Sequence, residues 1–214
     1  MLSTPPEGML PQYFLFSPRD VAALRNHAPA HATTFELLTA VMWRCRTKAL
    51  GYELHHRVRL MVSVNARGKW KRHTLIPLGY YGNALFYPVV DATVSDLCGS
   101  PLCHTIELVR QAKEIMTDEN MESMVDFIAS IHGKPPQEIG RLYEVCDIKW
   151  VGQDALDFGW AKRISGGVPI SYKSVSYHMR CTNDKSENLI AVSLVLPREA
   201  MEKFVSEIAV WLNN

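Results

Sequence analysis

Apolar and polar positions alternate along the chain with two distinct periods, and no repeat or flexible linker interrupts them. Tyr13-Phe14-Leu15-Phe16 predicts a strand. Ser17-Pro18-Arg19-Asp20 then supplies a cap residue, a proline at the first helical position and an early acid, which opens a short helix to about His27. Thr33-Thr34-Phe35-Glu36 is a capping-box pattern, and Phe35, Leu38, Met42, Cys45 and Ala49 recur behind it at helical spacing up to Gly51, so one face of this helix is expected to be buried. From Arg57 the period falls to two. Val58, Leu60, Val62 and Val64 share one side of a half-buried strand, with Arg57, Arg59, Ser63 and Asn65 on the other.

A basic loop over 67–73 leads into a glycine- and aromatic-rich segment over 78–87, whose second half can be a strand. Ser100-Pro101 opens a helix with Leu102, Ile106, Val109, Ala112 and Met116 inward, and a second helix presents Met121, Met124, Val125 and Ile128 before Pro135-Pro136 ends it. Strands are predicted over 142–148, 172–181 and 189–196, the last two joined as a hairpin across the polar residues 183–187. A final helix starts near Pro197 and buries Met201, Phe204, Val205, Ile208, Trp211 and Leu212. This order predicts an α/β chain of layered α+β type, with a mixed, partly antiparallel sheet covered on one face by helices.

The composition narrows the classes. With 23 Lys+Arg against 22 Asp+Glu among 214 residues, the net charge of +1 gives no field that would draw the chain to nucleic acid or membrane. Hydrophobic residues at 47% and charged residues at 21% exclude a disordered chain. Cys45, Cys98, Cys103, Cys146 and Cys181 are odd in number and never spaced C-x-x-C, which indicates neither a disulfide framework nor a zinc site; no metal ligands are expected. The start of the chain lacks a basic, apolar leader, and no apolar run reaches membrane-spanning length, so the expected setting is cytoplasmic.

The common catalytic signatures are absent: no G-x-S-x-G elbow, no G-x-x-x-x-G-K-S/T loop, no G-x-G-x-x-G and no H-E-x-x-H. Cys103-His104 and the pair His178 and Cys181 place thiol beside imidazole, and both read as buried thiol with surface histidine. The run Arg67-Gly68-Lys69-Trp70-Lys71-Arg72-His73 is the densest charge cluster. A solvated loop is the favoured reading, followed by a site for a phosphate-bearing small ligand, with single-stranded nucleic acid third.

Four ordered segments carry more. Asp157-Phe158-Gly159-Trp160 resembles the D-F-G-W-G signature of the plant BAHD family of CoA-dependent acyltransferases. Asn65-Ala66-Arg67 and Leu78-Gly79-Tyr80-Tyr81-Gly82-Asn83-Ala84 resemble its N-x-R and P-L-P-x-G-Y-x-G-N-A segments, and Thr33 to Glu36 through Trp43-Arg44-Cys45-Arg46 resembles its T-F-E-x-L-T-A-x-x-W-R-C-R helix. Order and spacing agree from about Tyr13 to Leu212. Within the family, the resemblance is closest to alcohol acyltransferases of the benzyl alcohol O-benzoyltransferase type.

The resemblance implies a chloramphenicol-acetyltransferase-like domain, the second of two, spanning residues 31–214 behind a crossover segment at 1–30. It implies acyl-CoA as co-substrate with no permanently bound cofactor, and a small alcohol or amine as acceptor. The family's catalytic histidine lies in H-x-x-x-D, and none of the eight histidines here has aspartate four residues on, so no catalytic residue is assigned. Since losing a positioned base typically costs about 10² to 10⁴ in rate, the chain alone should be inactive or nearly so.

Other implied roles are uneven. Thr33 and Thr34, with Lys69, Lys71 and Arg72, are the expected CoA-phosphate residues. Arg67 matches the family arginine that pairs with the motif aspartate, and Asp157, Phe158, Gly159 and Trp160 form a structural motif in which glycine makes a tight turn and tryptophan anchors the core. Ala161 stands where the family has a second glycine. Cys146, Asp147 and Ile148 match the strand lining the acceptor channel, although Lys149 and Trp150 replace the usual small polar residue and arginine. These departures suggest a truncated gene copy or an incomplete gene model. The face of a missing half should expose apolar surface, open to that half or to self-association.

Overall fold

A computed structural model describes residues 8–67, 76–77, 79–131, 140–151, 158–160, 166–168 and 174–213. Its main body is a six-stranded mixed sheet with helices packed on one side. In chain order the elements are β1 (Met9–Phe16), α1 (Pro18–Arg25), α2 (Thr34–Ala49), β2 (Arg57–Val62), β3 (Val64–Asn65), β4 (Leu85–Phe86), β5 (Val89–Thr93), α3 (Val94–Gly99), α4 (Leu102–Glu114), α5 (Asp118–Ser130), β6 (Leu142–Asp147), β7 (Val175–Thr182), β8 (Asn188–Pro197) and α6 (Arg198–Leu212). The strand order is β1-β8-β7-β6-β2-β5, with β6 parallel to both neighbours and the other pairings antiparallel.

Alternation decides what each strand contributes. Val58, Leu60 and Val62 of β2, Tyr143 and Val145 of β6, and Val192, Leu194 and Leu196 of β8 enter one continuous core beneath the helices. The predicted strand from Arg57 breaks at Ser63: Val64 stays buried but belongs to β3, which pairs with β4 in a separate small sheet. The segment β5 and the single-turn helix α3, neither of which the periodicity reveals, form where Arg57 and Asp91 meet across the β2–β5 ladder and Thr93 caps the next turn.

The expectation of a one-sided α2 is corrected. Every position from Leu37 to Thr47 is buried, because the helix lies on the sheet with α6 and α4 along its flanks. Its two buried arginines are accommodated differently. Arg44 donates to the carbonyls of Ser100 (2.6 Å) and Cys98 (2.8 Å), whereas the Arg46 guanidinium stacks 5.1 Å from the ring of the fully buried Tyr143. Arginine stems fill apolar space while the charged heads find acceptors or an aromatic face.

Three further expectations change. In α5 only Met121 is buried, while Val125, Phe127 and Ile128 stand exposed. In α6, Val205 points outward. His178 is buried rather than at the surface, and Cys181, three positions on along β7, lies on the opposite face of the strand. All five thiols are free. No helix among the described residues is long and apolar enough to cross a membrane.

Candidate functional site

The start of α2 sits at a groove of about 530 Å³ that gathers parts of five segments. Phe16 and Val21 form its apolar wall near β1 and α1, Thr33, Thr34 and Phe35 bring the helix N-terminus, Asp147, Lys149 and Trp150 come from the end of β6, and Arg180 and Ile190 come from the β7–β8 hairpin. The Thr33 hydroxyl is committed to the cap: it accepts from the Glu36 amide at 3.2 Å, while Glu36 receives the Thr33 amide at 2.8 Å. First-turn amides of a helix have no intrahelical partner, so the positive end of α2 is presented to the groove.

Three cations stand around that end. Arg25 donates to Thr34 Oγ1 (2.9 Å) and to the Ala32 carbonyl (2.8 Å), which fixes its guanidinium beside the cap. Lys149 Nζ lies 2.7 Å from Asp147 Oδ2 and 5.7 Å from the Phe35 ring. Arg180 stacks 4.7 Å from the exposed indole of Trp150. Among the described lining residues the three cations stand beside one carboxylate, Asp147, a balance that favours anions. Sequence reasoning found the threonines through the capping box. It missed Arg25, Lys149 and Arg180 because strand order, not chain proximity, brings them together. Of the other expected phosphate residues, Lys69, Lys71 and Arg72 lie outside the described residues.

His178 is the buried neighbour of this groove. Its ring is 5.4 Å from that of Phe35, and neither nitrogen has a hydrogen-bond partner among the described residues. Burial, then the charge of Lys149, lowers its pKa to about 3, so the imidazole is neutral near pH 7. It can neither pair with Cys181, across the strand, nor reach a solvent-borne hydroxyl. Cys103 and His104 are both exposed on α4.

The expected acceptor-channel residues diverge. Asp147 reaches the groove, but Cys146 is on the helix-free face of β6, with its thiol 3.7 Å from Glu144. Ile148 donates its amide to the His178 carbonyl at 3.0 Å. Burial pushes the Cys146 thiol up to about 11 and raises the Glu144 carboxyl and the Tyr87 phenol. A thiol held so high is not a nucleophile at neutral pH.

Two of the motif segments meet in the small sheet. Asn65 and Leu85 pair across β3–β4, the Ala66 amide donates to the Ala84 carbonyl at 2.9 Å, and Arg67 donates to the carbonyls of Gly82 and Tyr80. Tyr80 folds back over Gly82 and under the guanidinium, so a Cβ on Gly82 would fall 2.5 Å from the tyrosine oxygen. In the other motif, Gly159 adopts φ +72°, a backbone conformation that favours glycine, but Trp160 is 86% exposed and does not anchor the core. Asp157 lies outside the described residues.

Comparison with known proteins decides the family. The model described as "Transferase family" matches residues 19–210. The chain belongs to it, the BAHD acyltransferases. This BAHD chain is 52% identical to Acyl transferase 1 of Oryza sativa subsp. japonica, covering 100% of this chain and 46% of that protein. It is 52% identical to Spermidine hydroxycinnamoyltransferase 1 of the same organism (89% and 44% covered). The Benzyl alcohol O-benzoyltransferase of Petunia hybrida follows at 39% identity (95% and 45%), so the resemblance to that type holds at lower identity than to the two rice proteins. The chain spans about half the length of the relatives it matches.

Solved structures agree on the fold. F. sporotrichioides TRI101, complexed with coenzyme A and T-2, superposes with a TM-score of 0.72 at 19% identity, covering 94% of this chain and 50% of that one. Vinorine Synthase gives a TM-score of 0.71 at 18% identity, covering 98% and 49%. The mixed sheet with one helical layer is thus the chloramphenicol-acetyltransferase-like domain of BAHD enzymes.

Proposed function

We propose that residues 31–214 are the C-terminal domain of a two-domain enzyme that moves an acyl group from acyl-CoA to an alcohol or amine, releasing free CoA. Residues 1–30 are the crossover into it, which also lends the edge strand β1. The observation that carries this reading is the convergence of Arg25, Thr34, Lys149 and Arg180 at the N-terminus of α2, where phosphate groups of CoA would meet helix amides, a hydroxyl and paired cations. Arg25 retains donors beyond the two it spends on Thr34 and Ala32, because a guanidinium carries five N–H groups. Trp150 offers a face for stacking.

The chemistry needs a base, and the H-x-x-x-D motif that carries the family's histidine is absent from this sequence. An alcohol attacks the thioester carbonyl only as its proton leaves, and the one buried imidazole described, His178, is walled off behind Phe35. The domain therefore binds and positions CoA, and the proton acceptor comes from elsewhere in the complete enzyme. We place that enzyme in the cytoplasm, in plant secondary metabolism, with neither nucleic acid nor membrane among its partners.

A second reading, a non-catalytic remnant that binds CoA or a partner protein, is favoured by the exposed Tyr81, Trp150, Phe158 and Trp160. Titrating the chain with CoA and benzoyl-CoA by calorimetry, then assaying ester and amide formation with benzyl alcohol and spermidine, separates the readings. Saturable binding that weakens in Arg25→Ala supports the phosphate site, and undiminished binding in that variant removes it. Turnover by the chain alone defeats the remnant reading and the assignment of the base to another region.

A further inference from the structure

The turn between α2 and β2, far from the chemistry described so far, brings together three side chains of metal-binding type. Glu53, His55 and His56 each offer one ligand atom, and the three atoms lie within 4.8 Å of one another. Glu53 Oε2 stands 3.5 Å from His55 Nδ1 and 3.9 Å from His56 Nε2. The two imidazole rings have centroids 4.6 Å apart. We propose that these residues bind a divalent transition-metal ion, with zinc and copper as the fitting cases.

Geometry supplies the first reason. Tetrahedral ligands held at 2.0 to 2.1 Å from a zinc ion are about 3.4 Å from each other. Two edges of the present triangle are within about half an ångström of that value, so small rotations of side chains close the site. Glu53 and His55, 69% and 76% exposed, are free to make them. Glu53 and His55 open to solvent while His56 is partly buried, which leaves the remaining position to water.

The backbone is fixed even though two of the three side chains are exposed. The His56 amide donates to the Glu53 carbonyl at 2.9 Å, closing the turn on itself. The amides of Ser95 and Val94, at the start of α3, donate to the carbonyls of Leu54 and His56, each at 2.9 Å. The chain enters the turn from the buried α2 and leaves it into β2, so an ion would meet a scaffold already bonded on both sides.

Ligand chemistry supplies the choice of ion. Two imidazoles with one carboxylate suit zinc, copper or nickel, whereas magnesium and calcium prefer all-oxygen sets. The nearest cation along the chain, Arg57, is engaged by Asp91 and does not oppose a dication. Binding would clip the turn and stabilise the folded chain in proportion to the metal concentration.

The test uses the untagged 214-residue chain, titrated with zinc chloride by calorimetry and, in parallel, with copper for electron paramagnetic resonance. One ion per chain is expected, with hyperfine splitting from two imidazole nitrogens and a melting temperature that rises with zinc. His55→Ala and His56→Ala should each weaken binding by at least about 100-fold, beyond the 10- to 100-fold typical of losing an outer-shell group. His104→Ala, on the exposed face of α4, should keep the parent affinity. If His56→Ala does not fold, His55→Ala and Glu53→Gln still decide, since both side chains are largely exposed. Absence of saturable binding, undiminished affinity in the double variant His55→Ala/His56→Ala, a copper spectrum with one nitrogen, or loss of the ion in His104→Ala overturns the proposal.

Discussion

Lys113 of α4 reaches across to Glu36 of α2, and the two are joined by a direct ion pair although the glutamate side chain is only 3% exposed. Arg110 adds a second contact at 3.3 Å. The same carboxylate accepts the Thr33 amide, so one residue closes the cap that faces the anion groove and bolts α2 to α4. Burial alone would raise its pKa. The hydrogen bonds from Lys113, Thr33 and Arg110 together outweigh that and bring it from an ordinary 4.5 to about 2.

Glu36→Gln should therefore destabilise the fold at neutral pH by about 2 kcal/mol, between the values for exposed and buried ion pairs. Because the folded pKa is depressed, this contribution is complete above about pH 4.5 and is lost as pH falls toward 2. Urea unfolding at pH 7 and pH 3 checks it: the gap between parent and variant should shrink at the lower pH.

His178 gives a separate acid-sensitive window. Its folded pKa lies near 3 against 6.5 for an ordinary imidazole, so the unfolded chain binds a proton first and stability falls as pH drops from 6.5 toward 3. The loss at pH 5 should be about 2 kcal/mol. His178→Leu, which removes two buried nitrogens without partners among the described residues, should flatten the stability profile between pH 6.5 and 5 and leave stability at pH 7 nearly unchanged. A variant profile as steep as the parent's would assign the acid sensitivity to another group.

Gly82→Ala tests the small sheet in which the two motif segments meet. The new Cβ would collide with Tyr80, which must swing out and free the Arg67 guanidinium from its stacked position. The expected cost is about 1 to 3 kcal/mol. Hydrogen exchange should speed up at Ala66, whose amide is bonded to the Ala84 carbonyl, with little change in α2.

Arg44→Met probes the helical layer. Methionine keeps most of the stem's packing but leaves the Ser100 and Cys98 carbonyls without their donor, at a cost of about 1 to 3 kcal/mol. Denaturant midpoints should fall while the dependence on denaturant concentration stays the same, since the folded state remains as compact.

Local signals made α2 and β2 legible. The Thr33–Glu36 box forms as the residue types require, and the alternation from Arg57 to Val62 matches the buried side of the strand. The sequence pattern failed where burial depends on distant neighbours. Val125 and Ile128 have helical spacing, yet no described element covers that face of α5, and β5 exists only because Asp91 and its neighbours find β2. The groove follows the same division: a cap motif revealed Thr33 and Thr34, whereas Lys149 and Arg180 required knowledge that β6 and β7 run parallel and side by side.

That parallel arrangement also sets a timetable. β6 cannot dock by a tight turn on either side: its partner β2 lies far upstream, with Ser63 and Val145 82 residues apart in sequence, and β7 waits beyond a long crossing. Pairings of such separation require large loops to close before any reward arrives, which makes refolding slower than that of a helical bundle built on local contacts. On the ribosome, the centre of this sheet stays incomplete until β7 and β8 emerge, so the domain holds its apolar centre open until then.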